Sequence, residues 1–477
     1  MIRPGTLLSE RNIMFSKAFR PLLSASTLAI LLAGPVSADS VFTPVRDFQG
    51  RVSAASSERG APVYTGSKVT ISGEGLIPDQ EITLMRGPNV LNADGPLLVD
   101  AEGAFSFDLD VDADAATGLQ PILVIAENPA AAEVVTLKIS PEVPLSGADK
   151  FTIANGPVTR GLYQVAYSKA SDAVFVTSAV GRPPVKQSAL TKLDANTLEQ
   201  LAQVTPEAAP ARENGEDAGL FAVYGVGVDD VNGNVWVTNT RQDTISVYKQ
   251  SDLSLVRQFA PGSVNHARDV VIDEANGRAY ASATRTGNIE VFDTATLEQL
   301  APITITSGER GGAWSAMALD IDPASGILVN VSMSTNELAV IDLKSGDVRV
   351  IALPGAKGAA GVAYDAAQGL AFVVSQQSDN VLVVDVAKGE VIHDVAVGAQ
   401  PLNVTYDAAS NAAYIANRGA GTITVVNGQG EILANLDAGN STNQLRADGQ
   451  GRIWAVNKAR GEDDPTGDNL WRLTPAQ

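Results

Sequence analysis

The chain has 477 residues, too many for one ordinary core, so two folded domains are the starting expectation. A net charge of −20 disfavours non-specific attachment to nucleic acid or an anionic membrane, and any anion site must be a local concentration of cations. The absence of cysteine excludes disulfides, iron–sulfur clusters, a cysteine nucleophile and c-type haem, while 43 glycines and 24 prolines call for the many turns of an all-β fold.

Residues 1–38 read as an address. Met14–Arg20 is a short cationic stretch, Leu22–Ala33 is mostly apolar, and Val36, Ser37 and Ala38 supply small residues before Asp39. That order predicts a secretory signal peptide cleaved after Ala38, with Met14 a better start than Met1. The apolar run is too short for a membrane span and no later run is longer, so the mature chain is expected outside the cytoplasm, in a periplasm or at the cell surface.

Residues 39–145 come next. Val69/Ile71, Ile82/Leu84, Leu97/Val99, Phe105/Phe107/Leu109, Ile122/Val124/Ala126 and Val134/Thr136/Lys138 alternate with a period of two, broken by turns at Gly73–Asp79 and Asp100–Gly103. Short strands over about a hundred residues predict an immunoglobulin-like β-sandwich. The segments Ser72–Pro78 and Ala101–Phe107 also resemble those of bacterial Ig-like modules. Asp108, Asp110, Asp112 and Asp114 fall on alternate positions; a solvated acidic face is favoured over calcium because no Gly-containing ligand loop surrounds them. Pro141–Gly147 reads as a linker.

From residue 150 onward one unit recurs. An apolar alternating strand ends in a polar turn, followed by a second strand, a loop and a third strand closing near Asp. The turns fall at Ser168, Asp229, Asp273, Asp322, Asp365, Asp407 and Asp448, spaced in the forties except for a longer first interval, where 181–187 and 206–220 read as insertions. One residue before each turn stand Tyr167, Val228, Ile272, Ile321, Tyr364, Tyr406 and Ala447; three before stand Val165, Val226, Val270, Leu319, Val362, Val404 and Leu445. The positions between are mostly small or polar, as expected if they line a crowded central channel. This is the periodicity of a seven-bladed β-propeller over residues 150–477. The last blade has only three strands of its own, so Lys150–Ala154 is predicted to serve as its outer strand and close the ring. The turn aspartates read as Asx-turn residues, not ligands.

Val235–Tyr248 and Ala413–Val426, with their Val-Thr-Asn and Ile-Ala-Asn cores, resemble the YVTN-repeat β-propellers. The resemblance implies a periplasmic or surface protein; some members of the family are reported to bind single-stranded DNA.

Arg160, Arg182, Lys186, Arg212, Arg241, Arg268, Arg285, Arg310, Lys357, Arg418, Lys458 and Arg460 gather in loops expected at one end of the channel, set against acidic partners such as Glu216 in the same loops. His266, Arg268 and Asp269 form a polar cluster, Trp314 enters blade 4, and Asp320 and Arg446 are expected to face the channel. The expected function is a non-enzymatic binding protein holding an anionic small molecule or an acidic protein segment at the channel mouth, through Arg160, Arg241, His266, Arg268, Asp269, Arg285, Arg310, Trp314, Asp320, Arg418, Arg446 and Lys458. Single-stranded nucleic-acid binding, a lactonase-like hydrolase using His266, Asp269 or Glu309, and a surface-layer or adhesive role are the alternatives. No catalytic or metal motif occurs, and His266 and His393 are the only histidines, so no cofactor and no metal are expected.

Overall fold

The computed structural model describes residues 44–212, 214–461 and 463–476. The expected export segment, residues 1–38, lies outside them. No described helix is long and apolar enough to cross a membrane.

Period-two alternation builds the first unit. Arg51–Ser56, Lys68–Glu74 and Phe105–Asp110 form one antiparallel sheet. Glu81–Arg86, Gly118–Glu127 and Ala131–Ile139 form a second, with short strands at Asn89–Val90 and Leu97–Leu98. Val69 and Ile71 from the first sheet meet Ile82, Leu84, Ile122 and Val124 from the second in a single core. The turn after Asp100 holds because its Oδ1 accepts from the amides of Glu102 and Ala104 (3.1 and 2.7 Å). Gly103 is required there: its φ is 77°, and a Cβ would stand 2.6 Å from the Leu76 carbonyl oxygen.

The last strand of this unit runs one residue out of its expected phase. Val135, Leu137 and Ile139 turn inward, whereas Val134 is 54% exposed. Pairing with the neighbouring strand decides this, since Ile122 stands opposite Val135 and directly opposed residues share a face. Asp108 and Asp110 lie on the solvent face, Asp108 accepting from Thr70 Oγ1 (2.8 Å) and Asp110 paired with Lys68 (3.3 Å).

Seven four-stranded antiparallel sheets follow among the described residues. Their first strands are Leu162–Ser168, Val226–Asp229, Ala267–Asp273, Ala316–Asp322, Ala359–Asp365, Pro401–Asp407 and Thr442–Ala447. Each touches the next, and the seventh touches the first, so the sheets surround one axis. Every first turn is capped as expected: amides of Ser171, Asn232, Asn276, Ser325, Ala367, Ser410 and Gln450 donate to Ser168, Asp229, Asp273, Asp322, Asp365, Asp407 and Asp448. Phe151–Pro157 pairs antiparallel with Asn469–Pro475 as the fourth strand of the last sheet, so the closing strand comes from before the first blade.

The small residues of the first strands have a cause the sequence did not reveal. Ala166, Gly227, Val271, Ala363 and Thr405 stand opposite Phe175, Trp236, Tyr280, Phe372 and Tyr414 on the second strands, and the larger Arg446 stands opposite Trp454. All six aromatic side chains are buried between blades. A second correction concerns the polar residues of these strands. Their carboxylates, amides and hydroxyls do not simply face the channel; they accept hydrogen bonds from the otherwise unpaired edge of the next blade. Gln164, Asp269, Asp320, Asn403, Thr405 and Gln444 receive the amides of Val226, Leu319, Tyr364, Leu445, Ala447 and Val165 (2.8–3.1 Å). Blades 2 and 5 place glycines there instead. A Cβ on Gly225 would meet the Arg268 carbonyl oxygen at 2.4 Å, so the backbones touch directly.

Deleting residues 150–155 removes most of the closing strand and exposes the edge of Asn469–Pro475. The melting temperature is expected to fall by roughly 10 °C or more, read by calorimetry. An unchanged transition would show that the ring does not depend on this closure.

Candidate functional site

Local features of the repeat aim side chains at one end of the ring. In six blades the first strand carries a register shift near its start, between Leu162 and Val165 in blade 1 and at matched places in blades 3 to 7. Such bulges bend a strand and redirect its side chains. Five before the turn, Tyr163, Arg268, Met317, Leu402 and Asn443 follow such a bend and line one cavity of about 370 Å³; Tyr224 of blade 2, whose first strand has no shift, joins them, while Ala360 of blade 5 does not.

The loops between second and third strands supply the rim. Asn239, Asn417 and Asn457 end their second strands fully buried. Asn457 fixes the blade 7 loop: its Nδ2 donates to the carbonyls of Asn440 and Thr466 (2.9 and 2.6 Å), while its Oδ1 accepts from the Asn469 amide and Trp471 Nε1 (2.9 and 3.2 Å); Asn417 Nδ2 donates instead to the hydroxyls of Thr422 and Thr424. The loop backbone is thereby held, and the residues just beyond, Arg241, Arg418 and Lys458, reach the cavity. His266 reaches it from a left-handed position, φ 52°, with its amide donating to Asp243 Oδ1 at 2.7 Å.

The cavity therefore holds Arg241, Arg268, Arg418, Lys458 and His266 with one carboxylate, Asp269. Asp269 is already engaged. Its side chain is 2% exposed, it accepts from Leu319 N (3.0 Å), and Arg446 reaches it from the far side of the ring at 3.7 Å. Among the described residues, no carboxylate forms an ion pair with Arg241, Arg268, Arg418 or Lys458. Lys458 instead lies over the Tyr163 ring, 3.0 Å from its centroid. Tyr163 in turn packs edge-on against Tyr224, with ring centroids 4.6 Å apart.

Burial and like charge weaken these bases. Desolvation, reinforced by Arg418 and only partly offset by Asp468, brings the Lys458 amine down to about 7. Desolvation and then Arg285 push the His266 imidazole below its usual value. Desolvation also lowers Arg268 and raises the Tyr163 and Tyr224 hydroxyls. A cation cluster so strained electrostatically favours an incoming negative charge.

Six of the twelve residues expected at the site share the cavity: Arg241, His266, Arg268, Asp269, Arg418 and Lys458. Arg285 is exposed just outside it and acts on His266 through its charge. Arg160, after the closing strand, and Arg310, between blades 3 and 4, are exposed and do not line it. Trp314 is 5% exposed inside an apolar cluster of blades 3 and 4, with Nε1 donating to Asn330 (2.9 Å), so it serves the core and not the mouth. Asp320 and Arg446 sit below the cavity. Arg446 forms its ion pair with Asp269, while Asp320 accepts from Tyr364 N. Lys186 and Arg212 pair with Asp217 and Glu216 inside the blade 1 insertion. Tyr163 and Tyr224, which the sequence offers with Trp314 as the aromatic platforms a single-stranded nucleic acid would need, are collected with Arg268 and Asn443 by aligning the position five before each turn.

No family pattern matches the chain, and no curated protein does. Solved structures do resemble it. Virginiamycin B lyase from Staphylococcus aureus, at 14% identity and a TM-score of 0.50, is matched over 68% of this chain and 100% of its own. A streptogramin B lyase is matched at 13% identity and 0.51, over 68% and 98%, and U3-55K at 9% identity and 0.53, over 69% and 99%. These likenesses and the seven sheets establish the fold, a β-propeller. At such identities they carry nothing further.

Two predictions test the electrostatics. Burial raises Asp320 to about 6 against the pull of Arg446. Its charged form is thus costly in the folded state, and that cost grows as pH rises through 4 to 6. Arg446→Met is expected to lose roughly 3 kcal/mol at neutral pH, because two buried carboxylates lose their counter-charge, and much less in mild acid. Denaturant titrations at both pH values would show it. For Lys458 the unfolded chain holds the extra proton between about 7 and 10.5, so wild-type stability gains with pH across that window. Lys458→Met should be more stable than wild type by about 1 kcal/mol at pH 7, with the difference vanishing near pH 10.

Proposed function

We propose that this protein is an exported binding protein of the YVTN-repeat type, with an Ig-like spacer ahead of its propeller, that holds a small anionic ligand at the channel mouth. One observation carries the binding site: four cations and a histidine share one cavity, and the single carboxylate among its described residues is already tied to Arg446 and backbone. Guanidinium groups converging on a pocket suit a carboxylate, sulfate or phosphate. A cavity of about 370 Å³ fits a small molecule better than a length of acidic polypeptide. Single-stranded nucleic acid is disfavoured, because the Tyr163 face carries Lys458 and its neighbour Tyr224 packs on it edge-on. Export rests on the cationic, apolar and small-residue order of residues 14–38, and the repeat type on Val235–Tyr248 and Ala413–Val426.

Calorimetry with sulfate, phosphate and citrate is the test. Binding of at least one is expected, weakened about tenfold by Arg418→Gln or Arg241→Gln, rim residues whose loss spares the core. A bound anion favours the charged Lys458 amine, so affinity should be level below pH 7 and decline above it, by at most about tenfold per pH unit. The absence of heat with all three anions at millimolar concentration would sink the site.

A further inference from the structure

Lys458 differs from the other cations of the cavity in what it can do with a ligand. Elsewhere Lys68, Lys138, Lys186 and Lys388 are paired with carboxylates. Lys458 is held over the Tyr163 ring, and its backbone is fixed by the Asn457 hydrogen bonds and by its own amide donating to Ser441 O at 3.2 Å. Arg418 and Asp468 are the charges that act on it most, and Asp468 is occupied by the Gly161 amide (2.8 Å). Arg241, Arg268 and Arg418 line the same small cavity, as does His266.

We propose that the cavity captures a small 2-oxo acid covalently, with its carboxylate on the arginines and its carbonyl carbon bonded to Lys458 Nζ; this rests on the anion-binding reading above. A carboxylate next to a ketone or aldehyde is the ligand class that uses both features at once. The lone pair of the neutral amine adds to the carbonyl carbon, and the oxygen takes up a proton. The resulting carbinolamine loses water as the C–O bond breaks, leaving a protonated imine whose charge the ligand carboxylate balances. His266, held largely neutral by its surroundings, is the cavity group suited to relaying the proton. Burial keeps a substantial fraction of the Lys458 amine uncharged at neutral pH, whereas exposed lysines are almost wholly protonated.

The experiment incubates the full protein with pyruvate and cyanoborohydride at neutral pH, then maps the reduced adduct by peptide mass spectrometry. One adduct on Lys458, formed at least about tenfold faster than on any other lysine and slowed by added sulfate, is the expected result. Lys458→Arg should abolish the fast adduct, and Lys388→Arg, at an exposed pair outside the cavity, should leave it unchanged. Labelling spread evenly over surface lysines, or no labelling, with sulfate still bound, would overturn the covalent capture and leave the anion site standing. Neither labelling nor sulfate binding would remove both.

Discussion

Each first strand of the ring has a neighbour on one side only. Its other edge faces the axis, where no backbone can pair with it, and its amides must still find acceptors. Side chains of the preceding blade provide them: Gln164, Asp269, Asp320, Asn403, Thr405 and Gln444 each bind an amide across a blade boundary. Where the acceptor is missing, glycine lets the backbones come together, as at Gly225 and Gly227. Gln164, Asp269, Asn403 and Gln444 also form part of the cavity wall, so the element that holds the blades in register also shapes the site.

This arrangement buries two carboxylates close to the axis, and a single guanidinium from the opposite side of the ring answers them. Arg446 spans from blade 7 to Asp269 of blade 3 and lowers the cost of the Asp320 charge in blade 4. Above them the balance is reversed, with Arg241, Arg268, Arg418 and Lys458 around a space that, among the described residues, holds no free carboxylate. The axis is thus layered: a self-compensated floor beneath a mouth whose cations have no carboxylate ion pair among the described residues. A depressed Lys458 is the direct consequence of that surplus in a desolvated place.

The first unit is not a loose appendage at this level. Lys138 donates to Asp379 Oδ1 and to the Gln376 carbonyl oxygen, both at 2.6 Å, in the loop of blade 5 that also lines the cavity. The segment expected as a linker is fastened as well, with Ser146 and Asn435 exchanging backbone hydrogen bonds (2.9 and 3.0 Å) and Asn435 Nδ2 donating to Val143 O (2.9 Å). The outward phase of residues 134, 136 and 138 is what frees Lys138 for this contact. A strand read with Val134 inward would have directed Lys138 into the sandwich core.

By itself, the sequence determined what depends on short-range pattern. Alternation, capped turns and a recurring unit sufficed for seven blades, and a missing fourth strand in the last of them pointed to Lys150–Ala154 as the closure, which the structure carries on to Pro157. It also gathered Arg241, His266, Arg268, Asp269, Arg418 and Lys458 at the mouth, although Arg268 and Asp269 lie on the strand Ala267–Asp273 and not in a loop. Tertiary structure decided what depends on partners distant in the chain. Trp314 went to the core because its indole meets Asn330 there, and Arg446 was drawn to Asp269 from across the ring. The blade 1 bulge turned Tyr163 into the cavity, where Tyr224 packs against it, and pairing to Gly118–Glu127 set the phase of the sandwich's last strand. Repeats encode their own strands and turns locally, but direction at the axis is settled only when all seven converge and compete for the same buried space and charge.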